Sequence, residues 1–488
     1  NSLIHMPYLG RGGTSLGINF GTSAFVFQNI PSIKSNGNYQ WIRYFETDEQ
    51  GIPFKFPTIN ERYNTISQIN FEKIPGSPIA YWSNIHAIEI FEKNKILDAF
   101  GIVRQGASTS DNNRFLRLWH EVVFSKIGFD FKNLEDANLT NYKWFPYNKG
   151  GVYRKWYGNH DYLINYEKDG YELKQFQSTL SQGWTVRLKS REYYFNSAVS
   201  WPKITSGSFS ARFYPDGFIF DVAGCCYFPK EAEKKKAIVG FLNSKVARLF
   251  LDILSPTLNY EIEQVKKLPF LDIDNSKLLV LDGIYEISKK DWDSRENSWK
   301  FQQNELIKQK RNTLSESFIF YKQYWTAEFF DLHKNEENLN KEFIELFGLQ
   351  KVITPNVRLE EITILQEESK IINGELFIDP TPVLLQLLSY SIGCIFGRYS
   401  LDKPGLILAN QGETIQDFLK EIPSPTFMPD EDNIIPVLEG EWFTDDIIGR
   451  FKVFLKAAFG EEHFEENLKY IEETIGKDIR KYFVKDFY

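Results

Sequence analysis

A change of periodicity at residue 230 constrains this chain more than any other feature. From residue 100 to 228 the sequence runs in short β-branched and aromatic stretches ("WTVRL", "EYYF", "ARFY", "GFIFDVAGCCYF") cut by Gly, Asn and Ser. That is the pattern of strands and turns. From Lys230, "KEAEKKKAIVGFLNSKVARLFLDIL" sets Ile238, Phe241, Leu242, Val246, Leu249 and Phe250 on one helical stripe, which Pro256 stops. Residues 290 to 350 continue as charged amphipathic helices, another helix is expected from about Thr381 to Phe396, and 441–488 is helical and acidic. Segregated strands and helices predict an α+β fold. Its parts are a mixed, mostly-β unit at 100–288 and a mainly helical one at 289–488. A connector at 31–99, with one or two strands and a helix ending near Leu97, precedes them.

The opening "LGRGGTSLGINFGTSAFVF" (9–27) carries Gly10, Gly12, Gly13, Gly17 and Gly21, as a phosphate-binding loop would. Such a loop needs a helix after it, because the helix N-terminus supplies the anion site. Here "SLIHM" precedes and "SAFVFQNI" follows, two strand-like runs, so residues 1–30 read as a hairpin. Other catalytic signatures are missing as well. There is no G-x-x-x-x-G-K-[ST], and the histidines at 5, 86, 120, 160, 333 and 463 form no H-x-x-x-H pair. Cys225, Cys226 and Cys394 make neither a disulfide framework nor CxxC spacing. Asp216, Glu233 and Lys235 match a metal-nuclease pattern loosely, but "KEAEKKK" reads as a helix with its lysines in solvent. No catalytic, cofactor-binding or metal-ligating residue is therefore expected. With no membrane-length apolar run, no signal core and so few cysteines, the expectation is a cytoplasmic protein.

The net charge of −8 hides an asymmetry: residues 101–220 hold 16 Lys+Arg against 11 Asp+Glu, and 401–488 hold 10 against 19. A basic segment in an acidic chain is the footprint of a polyanion partner, and the basic patches below point to nucleic acid. "GIVRQGASTSDNNRFLRLWHEV" gathers Gly106, Ser108, Thr109, Asn112, Asn113 and Arg114 in one polar loop, suited to phosphates and base edges, with Asp111 or Asn113 available to cap the helix that follows. "KGGVYRKWYGNH" interleaves Lys149, Arg154 and Lys155 with aromatics around a Gly-Gly pair, a context for gripping phosphate. Lys189 and Lys203 continue the basic theme. Arg187 and Arg212, on expected strands, could aim guanidinium groups at guanine, unless they merely pair with Glu192 or Asp216. "GCIFGRYSLDKPG" reads as a packed turn around an Arg398–Asp402 ion pair. The competing reading makes the acidic helical half a protein-docking module.

Five longer segments narrow the choice: "GASTSDNNRFLRLWHEV", "RLKSREYYFNSAVSWPKI", "FSARFYPDGFIFDVAGC", "FLNSKVARLFLDILSPTLNYEIEQVKKLPF" and "SIGCIFGRYSLDKPGLILANQGE". In order, and over nearly the whole chain, they resemble the PglX family, the adenine-specific DNA methyltransferases of bacterial BREX phage-defence systems. The fourth is also similar to the end of target-recognition domains in type IIG and type I restriction-modification proteins. The resemblance implies that 1–30 is the last hairpin of a Rossmann-like methyltransferase fold, 100–288 a target-recognition domain and 289–488 a helical C-terminal domain. It implies that the S-adenosylmethionine loop and the Asn-Pro-Pro-Tyr motif lie upstream, since this chain has no Pro-Pro dipeptide. The full-length protein would methylate the N6 amine of a flipped adenine, and this chain alone would be inactive and bind no cofactor. Double-stranded DNA, other BREX proteins and a phage DNA-mimic inhibitor are the implied partners.

Overall fold

A computed structural model describes residues 2–6, 23–27, 36–205, 208–255 and 259–487. The first sheet joins the opening of the chain to the connector. Strands β1 (Ser2–His5) and β2 (Ser23–Val26) pair antiparallel, Ser2 opposite Val26. β3 (Asn36–Trp41) runs parallel to β1, and β4 (Tyr63–Ser67) antiparallel to β3, giving the order β2-β1-β3-β4. The glycine-rich stretch from Gly10 to Gly21 lies outside the described residues. One face of this sheet closes over Leu3, Tyr39, Phe71 and Tyr81, with the Tyr39 and Tyr81 rings stacked at 5.3 Å.

The described residues between 101 and 229 supply eight strands: β5 (Gly101–Arg104), β6 (Leu116–Leu118), β7 (Trp144–Asn148), β8 (Tyr162–Asn165), β9 (Ala198–Pro202), β10 (Arg212–Tyr214), β11 (Ile219–Phe220) and β12 (Gly224–Pro229). They form two four-stranded sheets, β10-β9-β12-β5 and β11-β7-β8-β6. β9 and the first five residues of β12 are buried on both faces, which is why "GCCYF" is a continuous apolar run rather than an alternating one. Cys225 and Cys226 serve there as packing residues; burial pushes both thiols up to about 12.

Two of the four expected strand runs are not strands. "EYYF" falls on a short 3-10 turn at Arg191–Tyr193. "WTVRL" lies in turns, because Gln182 and Gly183 take left-handed φ of 70° and 63° and the Arg187 guanidinium folds back onto the carbonyls of Ser181 (2.6 Å) and Gly183 (2.8 Å).

Downstream of residue 230 the chain is helical, as its periodicity predicts. The expected single helix is two, Lys235–Asn243 and Lys245–Leu254. The break is at Ser244, whose hydroxyl caps the second helix by accepting the Ala247 N–H at 3.2 Å. The preceding Asn243 clamps the N–H and carbonyl of Ala211 through its side-chain amide. Val246, Phe250, Leu251 and Ile253 face inward from the second helix, each stabilising the fold by about 1.5–3 kcal/mol. It ends at Leu254; Pro256 lies outside the described residues.

Val280–Asp293 and the 33-residue Leu314–Leu346 follow, the latter opened by a Thr313/Glu316 capping box. Pro380–Ile395, close to the expected 381–396, is capped by Asp379. Between them β13 (Ser369–Ile372) and β14 (Glu375–Ile378) form a hairpin turning on Asn373-Gly374, both at positive φ, the preferred pair for such a turn. The last helices are Ile447–Phe459, Phe464–Ile475 and Ile479–Lys485.

One apolar core is continuous from Val199, Trp201 and Cys225 through Phe241 and Phe250 to Phe343, Leu387 and Phe483, so it crosses residue 288 without a break. The expected Arg398–Asp402 pair does not form. Arg398 lies over the Trp119 ring at 5.0 Å, while Asp402 accepts from the Thr426 N–H at 2.9 Å. Among the described residues no helix is long and apolar enough to cross a membrane.

A candidate nucleic-acid interface

The polar loop after β5 is stitched to buried backbone along its length. Gly106 passes so close to β11 that a Cβ there would sit 1.9 Å from the Phe220 carbonyl oxygen. Ala107 N–H donates to that same carbonyl at 2.7 Å, and Ser108 N–H donates to Arg187 at 2.9 Å. Gln177, buried, reaches the Ser108 and Thr109 carbonyls at 2.6 and 3.2 Å with its side-chain amide. Asp111 then caps the short helix Asn112–Phe115 by accepting the Arg114 N–H at 3.1 Å. A loop held this way presents fixed side chains, which base reading requires and phosphate gripping does not.

Four of the predicted residues project from this edge: Asn112, Asn113, Arg114 and Lys189 are exposed. Asn112 accepts from Thr109 Oγ1 at 2.5 Å and Lys149 Nζ at 3.4 Å. Because an ammonium can only donate, the amide oxygen of Asn112 is turned inward and its NH2 faces away. The Asn113 side chain has no hydrogen-bond partner among the described residues, so both its donor and its acceptor are available. Arg114 lies 5.1 Å from the Phe115 and Phe176 rings, 3.5 Å from Glu172. Arg187, half-buried, donates from Nε to Ser110 Oγ at 3.1 Å. Gly106 and Thr109 are buried supports rather than contacts, and Lys203 is committed to Glu261 at 3.0 Å.

Three of the predicted contacts are corrected by their burial. Arg212, at 0% exposure, donates to the carbonyls of Gly150 (2.7 Å), Arg154 (3.0 Å) and Val152 (3.4 Å). It therefore holds the "KGGVYRKW" loop and has no surface to offer a duplex. Arg154 is buried against Asp291 at 2.9 Å, with the Trp292 ring at 5.1 Å. Lys155 is buried on Glu336, which also accepts from the Trp156 indole N–H at 2.6 Å. The basic-aromatic interleaving of this loop is an internal strap joining the strands to the helices. Arg187 lies in a turn and not on the expected strand.

The nuclease-like trio assembles no metal site. Lys235 opens a helix and donates to Ser197, and Asp216 accepts the Ser197 N–H at 2.7 Å. Among the described residues no group of three or more His, Cys, Asp or Glu could hold a metal ion. The element described after the glycine-rich stretch is strand β2, not a helix whose N-terminus could hold a phosphate.

No family model matches the chain. In an alignment 494 positions long that covers 96% of the chain, it is 36% identical to the adenine-specific methyltransferase PglX of Lacticaseibacillus casei (strain Zhang). In an alignment 468 positions long that covers 93% of the chain, it is 33% identical to the adenine-specific methyltransferase BrxX of Escherichia coli O9:H4 (strain HS). The chain belongs with the PglX proteins. It spans 39% and 37% of the lengths of these two relatives. Among solved structures it is similar to the Type IIL restriction-modification enzyme MmeI in complex with DNA. There it is 12% identical, covering 75% of this chain and 45% of the other at a TM-score of 0.37, too low to carry an argument.

In this PglX-like chain the residue that sequence reasoning missed is Asp221. It is buried beneath the edge and accepts from Lys149 Nζ at 2.7 Å and from the Tyr147 hydroxyl at 2.8 Å. An acid inside the apolar run "GFIFDVAGCC" was the available signal, since a charge in such a run is buried and must be paired.

Proposed function

We propose that this chain is the DNA-reading part of an adenine-specific DNA methyltransferase of the BREX type. In this reading residues outside the chain bind S-adenosylmethionine and transfer the methyl group to adenine N6. The observation that carries the reading is the exposed edge Asn112–Arg114, raised on a loop fixed by buried bonds, in a chain whose relatives bear the name adenine-specific methyltransferase. Asn113, with its whole amide available, is the candidate for bidentate reading of an adenine, and Arg114 for a guanine or a phosphate. Lys189, exposed and without an ion-pair partner among the described residues, is the candidate phosphate contact. The acidic helical segment 401–488 is the candidate surface for other proteins of the defence system.

The test is duplex binding by the full chain, read by fluorescence anisotropy from 50 to 200 mM salt. Affinity is expected to fall steeply, and Lys189→Ala to make the log–log slope shallower by about 0.9. Binding that does not respond to salt, or a slope that Lys189→Ala leaves untouched, overturns the assignment.

A further inference from the structure

The Asp221 carboxylate is held from three directions. It accepts from Lys149 Nζ (2.7 Å), the Tyr147 hydroxyl (2.8 Å) and the Ala223 N–H (2.7 Å). Its backbone is fixed too: its N–H donates to Asn148 at 2.9 Å, and its carbonyl accepts the Gly106 N–H at 3.3 Å. The acid is 2% exposed; of its side-chain partners only Lys149, 29% exposed, has a route to solvent.

An ammonium has three donors. One of Lys149's is on Asp221, a second points at Asn112 Oδ1 3.4 Å away, and the third is left for solvent or a ligand. A free lysine at this edge would carry a full charge to the phosphates of any duplex. Paired at 2.7 Å with a buried carboxylate, Lys149 belongs to a unit of zero net charge that attracts a distant phosphate only as a dipole. Its third donor still meets an acceptor placed beside Asn112. We propose that Asp221 is a positioning residue of the DNA-reading edge. By neutralising Lys149 and fixing its ammonium beside Asn112, it turns a phosphate-gripping cation into a directed donor and lowers affinity for non-target DNA. The inference rests on the DNA-reading assignment above.

Asp221→Asn in the full chain keeps an acceptor for the Ala223 N–H and releases the Lys149 charge. On a duplex of random sequence the variant is expected to bind more tightly than wild type at 50 mM salt. Between 50 and 200 mM salt it should lose about 3.5-fold more affinity than wild type, the release of one further counterion. Adding Lys149→Ala should abolish that gain. A residue that only held the fold together would weaken binding and could not strengthen it.

A folded Asp221→Asn variant that binds random duplex no better than wild type overturns the inference, as does a gain that survives Lys149→Ala. If circular dichroism shows that Asp221→Asn alone does not fold, the double variant Asp221→Asn with Lys149→Ala, which removes both charges of the pair, decides. A slope shallower by about 0.9 means Lys149 already grips phosphate and overturns the inference; a wild-type slope upholds it. Wild type that binds no duplex refutes the DNA assignment and the inference together. Steep wild-type binding without the Asp221→Asn gain refutes the inference alone.

Discussion

Replacing Asp291 by Asn removes one interior charge and leaves the shape unchanged. The carboxylate, 0% exposed, accepts from Arg154 Nη1 at 2.9 Å, Arg295 Nη2 at 2.9 Å and the Leu365 N–H at 2.8 Å. Arg295 keeps Glu368 at 2.7 Å, but Arg154, 7% exposed, has no second ion pair among the described residues. The variant therefore strands a guanidinium in the interior and turns an amide donor either on it or on the Leu365 N–H. Breaking a buried pair in this way costs about 3–5 kcal/mol, with no cavity term to add. The assay is urea unfolding at neutral pH, where the midpoint should fall at unchanged slope. Arg154→Met in the same background removes the stranded charge and should recover most of the loss. Burial alone would raise the Asp291 carboxyl, but Arg295 and Arg154 outweigh it and hold it below the ordinary aspartate value. Its contribution is thus present above about pH 4 and lost as the pH falls through the folded value, so the difference between wild type and Asp291→Asn should shrink in acid. A loss under about 1 kcal/mol, or one that Arg154→Met deepens, would refute the claim that Arg154 is a structural cation and return it to the DNA-facing set.

Gly106→Ala should cost about 3 kcal/mol, because the new Cβ meets the Phe220 carbonyl at 1.9 Å and that carbonyl is committed to Ala107; an unchanged thermal melt would contradict this. Asp161 behaves oppositely to Asp291: burial pushes its carboxyl up to about 6, against smaller opposing effects of Arg154 and Arg212. A raised folded value means ionisation penalises the fold increasingly from about pH 4 to pH 6. Asp161→Asn should therefore stabilise by up to about 3 kcal/mol above that range and not at all below it, read from urea midpoints at pH 4 and pH 7; a gain at pH 4 that vanishes at pH 7 would refute the sign.

Elements with a local cause were legible in the sequence. The helices at Ile85–Lys93 and Pro380–Ile395 follow from apolar spacing and from caps supplied by Asn84 and Asp379. Of Asp111 and Asn113, both residue types that favour a helix N-cap, Asp111 is the one that caps. What was not legible depends on distant partners. Arg154 and Lys155 look like a surface patch in any local window, since the acids that bury them, Asp291 and Glu336, lie 137 and 181 residues away. Arg212 pairs with none of the carboxylates considered for it; backbone carbonyls of a loop some 60 residues upstream satisfy it instead. The turn at "WTVRL" defeats its own β propensity because the arginine inside it bonds backward to the loop.

The strap has a practical corollary for anyone dividing this protein. Arg154 and Lys155 lie before residue 288, and their carboxylates, Asp291 and Glu336, lie after it. A fragment cut at 288 would bare two cations that the intact chain neutralises. It would cling to heparin, tRNA and random DNA alike, and would pass a retention assay for a reason the parent does not share. The complementary piece would bare two acids and be repelled from the same columns. Grafting the proposed DNA-reading edge between relatives meets the same obstacle, because the piece that moves as an electrically closed unit extends through Glu368, the carboxylate that completes Arg295.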